Sequence, residues 1–453
     1  MGNAPTVQHS THRAEKLCPT RPTQNGLPAS VQQDGRFVLD PTEFPDYVDY
    51  VTSGKYVLSW KWNLNDAAVQ PTATELNTLL PVLAPNANLL CEPPPHKCQV
   101  TWLGHACCLV QWEGWNVLCD PIFSERCAPV QFAGPKRVRP SPIQVEGLPR
   151  IDVCVISHNH YDHLDENTVL SLSNLQPDCI FCVPLGMKVW FVGVLGAEKA
   201  RAVVEFDWGE EAIVGDEGGS GGKDTKEGNE TQETKETQET KETPATPVTP
   251  ATPVQETPAT PETTPKTSGR PPLTVVCVPC QHWCKRSLTD TNKCLWSSWI
   301  CKTDNMTYFF GGDTGYCGQM FKKTGDLYPV DFSAIPIAAY GSASERWFHK
   351  PNHQNPEEAV LCHQHLKSRQ SIGVHWGTFN LTAEHIMEPV SRLSDAVKAA
   401  GLDEHSFVVL KHGETRGYDV VRTGKRDFDL EIEEVDGRGE NGENDQSGVE
   451  LTL

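Results

Sequence analysis

The 453-residue sequence predicts an α/β fold. Short apolar runs of strand length alternate with stretches of helical period, and several of those runs end on a histidine or an aspartate. A Pro/Thr/Glu/Lys-rich stretch, 215–269, breaks this alternation, yet runs of the same layout stand on both sides of it. One domain carrying an internal insert is therefore expected.

The alternation is clearest at residues 151–156, an apolar run that reads as a buried strand, followed at once by His158-Asn159-His160-Tyr161-Asp162-His163. Histidines two apart in an extended turn can converge on one ion, while Asp162 and His163 can turn toward a second. Imidazole suits zinc and iron, and an added carboxylate suits a hydrolytic centre. A polar surface turn is the alternative reading; four potential ligands directly after a buried strand speak against it.

Residues 99–103, 107–112 and 116–119 read as strands joined by turns, an antiparallel start to a sheet. After the histidine-rich motif come a helix over 166–175, strands at 180–183 and 202–206, and between them 185–197, apolar nearly all round. That stretch fits either a core helix or a segment dipping into a membrane interface. Beyond the insert, strands are expected at 273–278, 295–300, 307–310, 332–337, 371–374 and 407–410, with helices at 356–366 and 388–400. Three of these strands lead into His282, Asp313 and His375, so the layout of the first motif recurs.

Residues 1–35, the insert and the segment 426–453 lack the apolar content to offset ordering entropy and are expected to be disordered. They also explain the charge. Of a formal net charge of −20, residues 216–266 carry eleven acidic against five basic groups, and 427–453 carry ten against one. About −5 remains for the folded part, with no broad basic surface for nucleic acid. The basic loop residues Lys136, Arg137 and Arg139 fit lipid phosphates or plain solvation. Seventeen cysteines without a preceding signal sequence read as mostly reduced, buried thiols of an intracellular protein. The pairs Cys179/Cys182 and Cys277/Cys280 lie too far apart in sequence for a zinc ribbon. No apolar run is long enough to span a bilayer. Met1-Gly2-Asn3-Ala4-Pro5-Thr6 matches a myristoylation pattern.

Several motifs together carry a resemblance: Thr101-Trp102-Leu103-Gly104-His105-Ala106, Asp120-Pro121-Ile122-Phe123-Ser124, Gly134-Pro135-Lys136-Arg137, the central motif with Ser157, Gln281-His282-Trp283-Cys284-Lys285-Arg286, Gly312-Asp313-Thr314-Gly315, Arg346-Trp347-Phe348, His375-Trp376-Gly377-Thr378 and Lys411-His412-Gly413-Glu414. The chain resembles the N-acyl-phosphatidylethanolamine-hydrolysing phospholipases D of the metallo-β-lactamase superfamily over most of residues 36–420. The resemblance implies an αβ/βα sandwich. It implies two zinc ions per chain, His158, His160 and His282 on one, Asp162, His163 and His375 on the other, and Asp313 bridging. It implies substrate contacts from Tyr161 and His353, a membrane surface as partner and a homodimer. The function implied is hydrolysis of N-acyl-phosphatidylethanolamine to N-acylethanolamine and phosphatidic acid by a di-zinc-activated water. Asp162 and Asp313 would orient that water, and His353 would position or protonate the leaving group. On its own chemistry His353 also fits an ordinary surface loop. Two other functions stay open. One is a sugar-phosphate lactonase-like hydrolase of the same superfamily, which needs no apolar entrance. The other is a non-catalytic scaffold, although none of the seven ligands is lost.

Overall fold

The computed structural model describes residues 17–19, 23–49, 68–95, 97–216 and 270–419. Residues 50–67, the insert from 217, the acidic tail and Gly2 lie outside them. Strands β1 (Leu17–Pro19), β2 (Thr23–Gln24), β3 (Val31–Gln33) and β4 (Arg36–Val38) come first. Then follow β5 (Lys97–Gly104), β6 (Cys107–Trp112), β7 (Trp115–Cys119), β8 (Val153–Val155), β9 (Ile180–Pro184) and β10 (Val203–Phe206). The rest are β11 (Glu210–Asp216), β12 (Leu273–Val278), β13 (Ser298–Lys302), β14 (Thr307–Phe310), β15 (Phe332–Pro336), β16 (Gln370–Val374), β17 (Phe407–Val409) and β18 (Thr415–Asp419). One sheet has the order β10-β9-β8-β7-β6-β5-β18; the other runs β1-β11-β12-β13-β14-β15-β16-β17, with β2 also on β11.

Side-chain alternation explains why two such sheets form a sandwich. Along β5, β6, β8 and β9 one set of residues (Val100, Trp102, Cys108, Val110, Val153, Val155, Cys182) enters the core shared with the second sheet, including Val276, Trp299, Ile300 and Tyr308. The alternate set (Leu103, Cys107, Leu109, Cys154, Ile156, Phe181, Val183) faces the other way. It packs on Val169, Leu172 and Phe191, from helices α3 (Glu166–Leu175) and α4 (Lys188–Leu195); the short helices α1 (Ala73–Leu79) and α2 (Ala87–Cys91) precede them. A strand buried on both faces reads as a continuous apolar run, which is what made β5–β9 legible in the sequence. Helices α5 (Gly318–Leu327), α6 (Arg346–His349), α7 (Pro356–His365) and α8 (Glu388–Ala399) follow β14, β15 and β16. Helix α7 starts where expected because Asn355 and Glu358 form a capping box with Pro356 in the first turn.

In the first sheet β7 to β10 are parallel, and in the second β14 to β17. The strands of each parallel set therefore end on the same side, and those carboxyl ends are where open α/β sheets place their ligands.

The structure departs from the sequence reading in several places. Within residues 1–35, Leu17–Pro19 and Thr23–Gln24 pair with β11, and Leu27 is buried in the core. The polar composition hid short edge strands held by a neighbour. Strand β11 runs to Asp216, past the residue 215 at which the insert was expected to begin. Its burial alternates, Ala212 and Val214 being buried and Ile213 exposed, as in a strand with one wet face. Strand β13 begins at Ser298, because the apolar residues before it, Leu295 and Trp296, lie in a buried loop. Helix α5 carries two glycines and few apolar residues and gave no sequence signal. In α4, Phe191 is buried while Val189 and Val192 are exposed, so the 185–197 stretch is a helix with one core face and one outward apolar face. All sixteen cysteines whose side chains are described are free thiols, most of them buried. No helix among the described residues is long and apolar enough to cross a membrane.

Strands β11 and β12 are antiparallel neighbours, with Val214 opposite Leu273, so the insert joins the two arms of a hairpin. Deleting 218–268 is expected to leave the melting temperature within a few degrees and the metal content unchanged, because loop length alone changes closure entropy by only about 0.6 kcal/mol per doubling. A differential scanning fluorimetry trace and elemental analysis of the shortened chain check this.

Candidate metal centre

The loop leaving β8 carries His158, His160, Asp162 and His163. The loops after β12, β14 and β16 bring His282, Asp313 and His375 to meet them. All seven sequence-predicted ligands converge. The ligand atoms of His158, His160, His282 and Asp313 lie within 4.8 Å of one another, as do those of Asp162, His163, His375 and one further residue, His105.

Hydrogen bonds on the outer side of three rings settle which nitrogen faces inward. A carboxylate can only accept, so the 2.6 Å contact of His163 Nδ1 with Asp120 Oδ2 puts a proton on Nδ1 and leaves Nε2 facing in. Ser157 Oγ donates to Asp120 Oδ2 at 2.5 Å and so accepts from His158 Nδ1 at 2.9 Å. His282 Nδ1 donates to the Asn352 carbonyl at 3.0 Å. The inward atoms then crowd together. His160 Nδ1 lies 2.8 Å from His158 Nε2 and 3.3 Å from His282 Nε2. One proton at most fits among those three nitrogens, and a cation satisfies all of them.

Asp313 stands between the two groups. Its Oδ2 is 3.1 Å from His163 Nε2, 3.8 Å from His158 Nε2 and 3.7 Å from His282 Nε2; its Oδ1 is 3.0 Å from His375 Nε2. His375 Nε2 is also 3.4 Å from Asp162 Oδ2. Despite these approaches, His163 Nε2, Asp313 Oδ1 and His375 Nε2 are buried without a hydrogen bond. Buried polar atoms left so cost about 1–3 kcal/mol each, a cost that ligation removes. Burial pushes His282 down to about 3 and His160 to about 4, and holds His158 well below the usual imidazole range. These rings are neutral at physiological pH, as ligands must be. Burial opposes the ionisation of Asp162 and Asp313, yet the neighbouring imidazoles, His163 foremost, hold both well below the usual carboxylate range. The residues present therefore fit a pair of divalent ions.

The parts around the cluster were only partly foreseen. Asp120, at the end of β7, stood in a recognised motif without a role. It accepts from Ser157 N at 2.7 Å as well as from Ser157 Oγ and His163, so it orients two of the ligand rings. Asp165 holds the loop behind the motif, its Oδ2 accepting from Ser124 N at 3.0 Å and its Oδ1 from Ser124 Oγ at 2.8 Å. His353 sits at the rim, its Nδ1 buried without a hydrogen bond, 4.0 Å from Asp313 Oδ2. Tyr161 faces away from the ligands. Its hydroxyl donates to the Arg286 carbonyl at 3.0 Å and its ring lies 4.1 Å beneath the Arg286 guanidinium, which in turn is 5.0 Å from Trp190. These three residues line a cleft of about 440 Å³ that also reaches Gln131 and Ser287. Arg137 corrects an expectation. It is buried, donates to the carbonyls of Ser124 and Ile122, and braces the loop from inside, out of reach of any lipid phosphate. Lys136 is exposed and paired with Glu125.

The family model described as Beta-lactamase superfamily domain matches residues 115–220 and 225–376. N-acyl-phosphatidylethanolamine-hydrolyzing phospholipase D 1 of Caenorhabditis elegans is 37% identical over 69% of this chain and 74% of its own length. The chain belongs to this phospholipase D family of the metallo-β-lactamase superfamily. Two further relatives of the family span more of it. An uncharacterized protein of Mycobacterium tuberculosis is 33% identical over 83% of this chain and 81% of its own. The mitochondrial N-acyl-phosphatidylethanolamine-hydrolyzing phospholipase D of Saccharomyces cerevisiae is 27% identical over 85% of this chain and 67% of its own. With the metallo-β-lactamase fold and its converging His/Asp clusters, the chain is a metal-dependent hydrolase.

Proposed function

We propose that this chain hydrolyses N-acyl-phosphatidylethanolamine at the phosphodiester, releasing N-acylethanolamine and phosphatidic acid, with zinc as its metal and two ions per chain. The observation that carries the reading is a full set of seven ligands beside an aromatic-walled cleft, in a relative of enzymes named for that reaction. His158, His160 and His282 would hold one ion, Asp162, His163 and His375 the other, with Asp313 shared. Bound there, the pair supplies Lewis-acid charge for the phosphoryl oxygens and an acidified water as nucleophile. The chain supplies the rest. Asp162 and Asp313 accept hydrogen bonds from the attacking water and aim it. His353, with an unpartnered buried nitrogen facing the cluster, holds the leaving N-acylethanolamine oxygen. Tyr161 and Arg286 line the cleft beside the motif loop.

The test is isotopic. Hydrolysis of detergent-dispersed N-acyl-phosphatidylethanolamine in ¹⁸O water should give labelled phosphatidic acid and unlabelled N-acylethanolamine by mass spectrometry. Labelled fatty acid would mean attack on a glycerol ester. An untouched phospholipid beside a consumed sugar-phosphate lactone would replace the substrate and keep the metal centre.

A peripheral membrane setting goes with this substrate. Phe132 is 85% exposed, Leu288 94% and Val189 75%, and they neighbour the cleft residues Gln131, Ser287 and Trp190. Three separate loops or helices thus offer apolar tips around one opening, as a lipid surface requires. Burying a side chain of this size is worth about 1.5–3 kcal/mol. Phe132→Ser and Leu288→Ser should therefore each weaken sedimentation with phospholipid vesicles about tenfold or more, while turnover of detergent-dispersed lipid is retained.

A further inference from the structure

We infer that His105, which no sequence motif assigned a role, is a positioning residue that aims the Asp162 carboxylate at the metal centre by donating a hydrogen bond from Nε2. The inference rests on the two-ion reading above.

His105 lies in the tight turn between β5 and β6 and is 1% exposed. Its backbone is left-handed, with φ of 56°, a conformation costly for a residue with a Cβ. Three sets of contacts hold it there. Its N–H donates to Thr378 Oγ1 at 2.5 Å. Its carbonyl accepts from His375 N at 2.9 Å and from Trp102 Nε1 at 2.8 Å. Its ring is packed 4.0 Å from the His375 ring and edge-on to Phe379 at 5.2 Å. Thr378 is itself held 3.1 Å from His412 Nε2. The anchors thus come from β5, from the loop after β16 and from the turn before β18, and they leave one group free to act.

That group is Nε2, 2.9 Å from Asp162 Oδ2. The carboxylate accepts only, so the proton is on Nε2 and the lone pair of the ring is on Nδ1. The same carboxylate oxygen lies 3.4 Å from both His163 Nε2 and His375 Nε2. A donor fixed at that oxygen sets where Asp162 presents its charge to an ion held with His163 and His375. His105 shares a potential ligand cluster with those three residues, and the protonated Nε2 assigns it the outer role.

The test uses the full-length zinc-loaded protein with His105→Leu, which keeps bulk and removes the donor, and His105→Gln, whose amide N–H can reach the same oxygen. Three quantities are read: zinc retained per chain against a titrated chelator, the kcat and KM of lipid hydrolysis, and the melting temperature of the metal-free protein. Partners of ligating groups typically contribute about 10–100-fold to metal affinity. His105→Leu should therefore release one of two zinc ions at about 10–100-fold lower chelator concentration, with kcat lowered and KM kept, and His105→Gln should recover most of both. If His105→Leu retains both ions as the parent does, the inference is overturned. If His105→Gln is as deficient as His105→Leu, His105 is a ligand and the positioning role fails. If both variants lose only metal-free melting temperature, the residue is merely structural. A parent protein that binds no zinc would instead overturn the metal reading beneath it, and metal content alone tells the two failures apart.

Discussion

Asp313→Asn should lower turnover more than about 100-fold, beyond what the loss of a group behind a ligand produces, and should lower metal content at the same time. The reason is the reach of one carboxylate. Its two oxygens face the inward nitrogens of His158, His163, His282 and His375 at 3.0 to 3.8 Å. No other described carboxylate faces rings of both groups in this way. An amide keeps the shape, halves the acceptors and removes the charge that balances both sites. Elemental analysis of the purified variant, together with kcat, checks the expectation. Two ions retained with kcat within tenfold of the parent would remove Asp313 from the bridging position.

His353→Ala should act in the opposite pattern, lowering kcat by about 10²–10⁴-fold, the range for a positioned proton-handling group, with both ions still bound. Its Nδ1 is buried and unpartnered, and Asp313 Oδ2 lies 4.0 Å from it, a longer approach than those of the inward rings. The side chain is 16% exposed where His163, His282 and His375 are closed off. With His160 it is one of the two partly exposed imidazoles of the cluster, so an entering headgroup can meet it. Metal lost from this variant, or kcat left unchanged, would move His353 out of the substrate role. The two substitutions separate holding the ions from handling the substrate.

The converging histidines and aspartates were legible in the sequence for a physical reason. Buried parallel strands are short continuous apolar runs, and a metal-capable residue at the end of such a run stands out against them. That signal works for β8, β12, β14 and β16. It fails for Asp120, which also ends a buried strand but was one acidic residue before a proline. Only its contact with His163 and Ser157 reveals its part. It fails for His105 too, because nothing in a Gly-His-Ala turn says that the ring will be aimed at Asp162 from another strand. Edge elements escaped for a different reason. Strands β11 and β18 and helix α5 are half wet or glycine-bearing, and their periods are carried by few apolar residues. The basic loop misled because an arginine can serve as an internal brace. Arg137 spends its guanidinium on two carbonyls, and composition alone does not separate that from a surface charge.

One property of the ligand set reaches beyond catalysis. Four of the seven ligands belong to the first sheet, through the loop after β8, and three to the second, through the loops after β12, β14 and β16. An ion shared among them is a cross-link between the two layers of the sandwich, in a chain whose described cysteines are all free thiols. Binding then becomes part of the folding equilibrium. At a free ion concentration a thousandfold above the dissociation constant, each site adds about 4 kcal/mol to the stability of the folded form, comparable to what a covalent bridge supplies. Unlike a disulfide, that contribution rises and falls with the supply of the ion. Metal depletion would weaken the seam at the strand ends first.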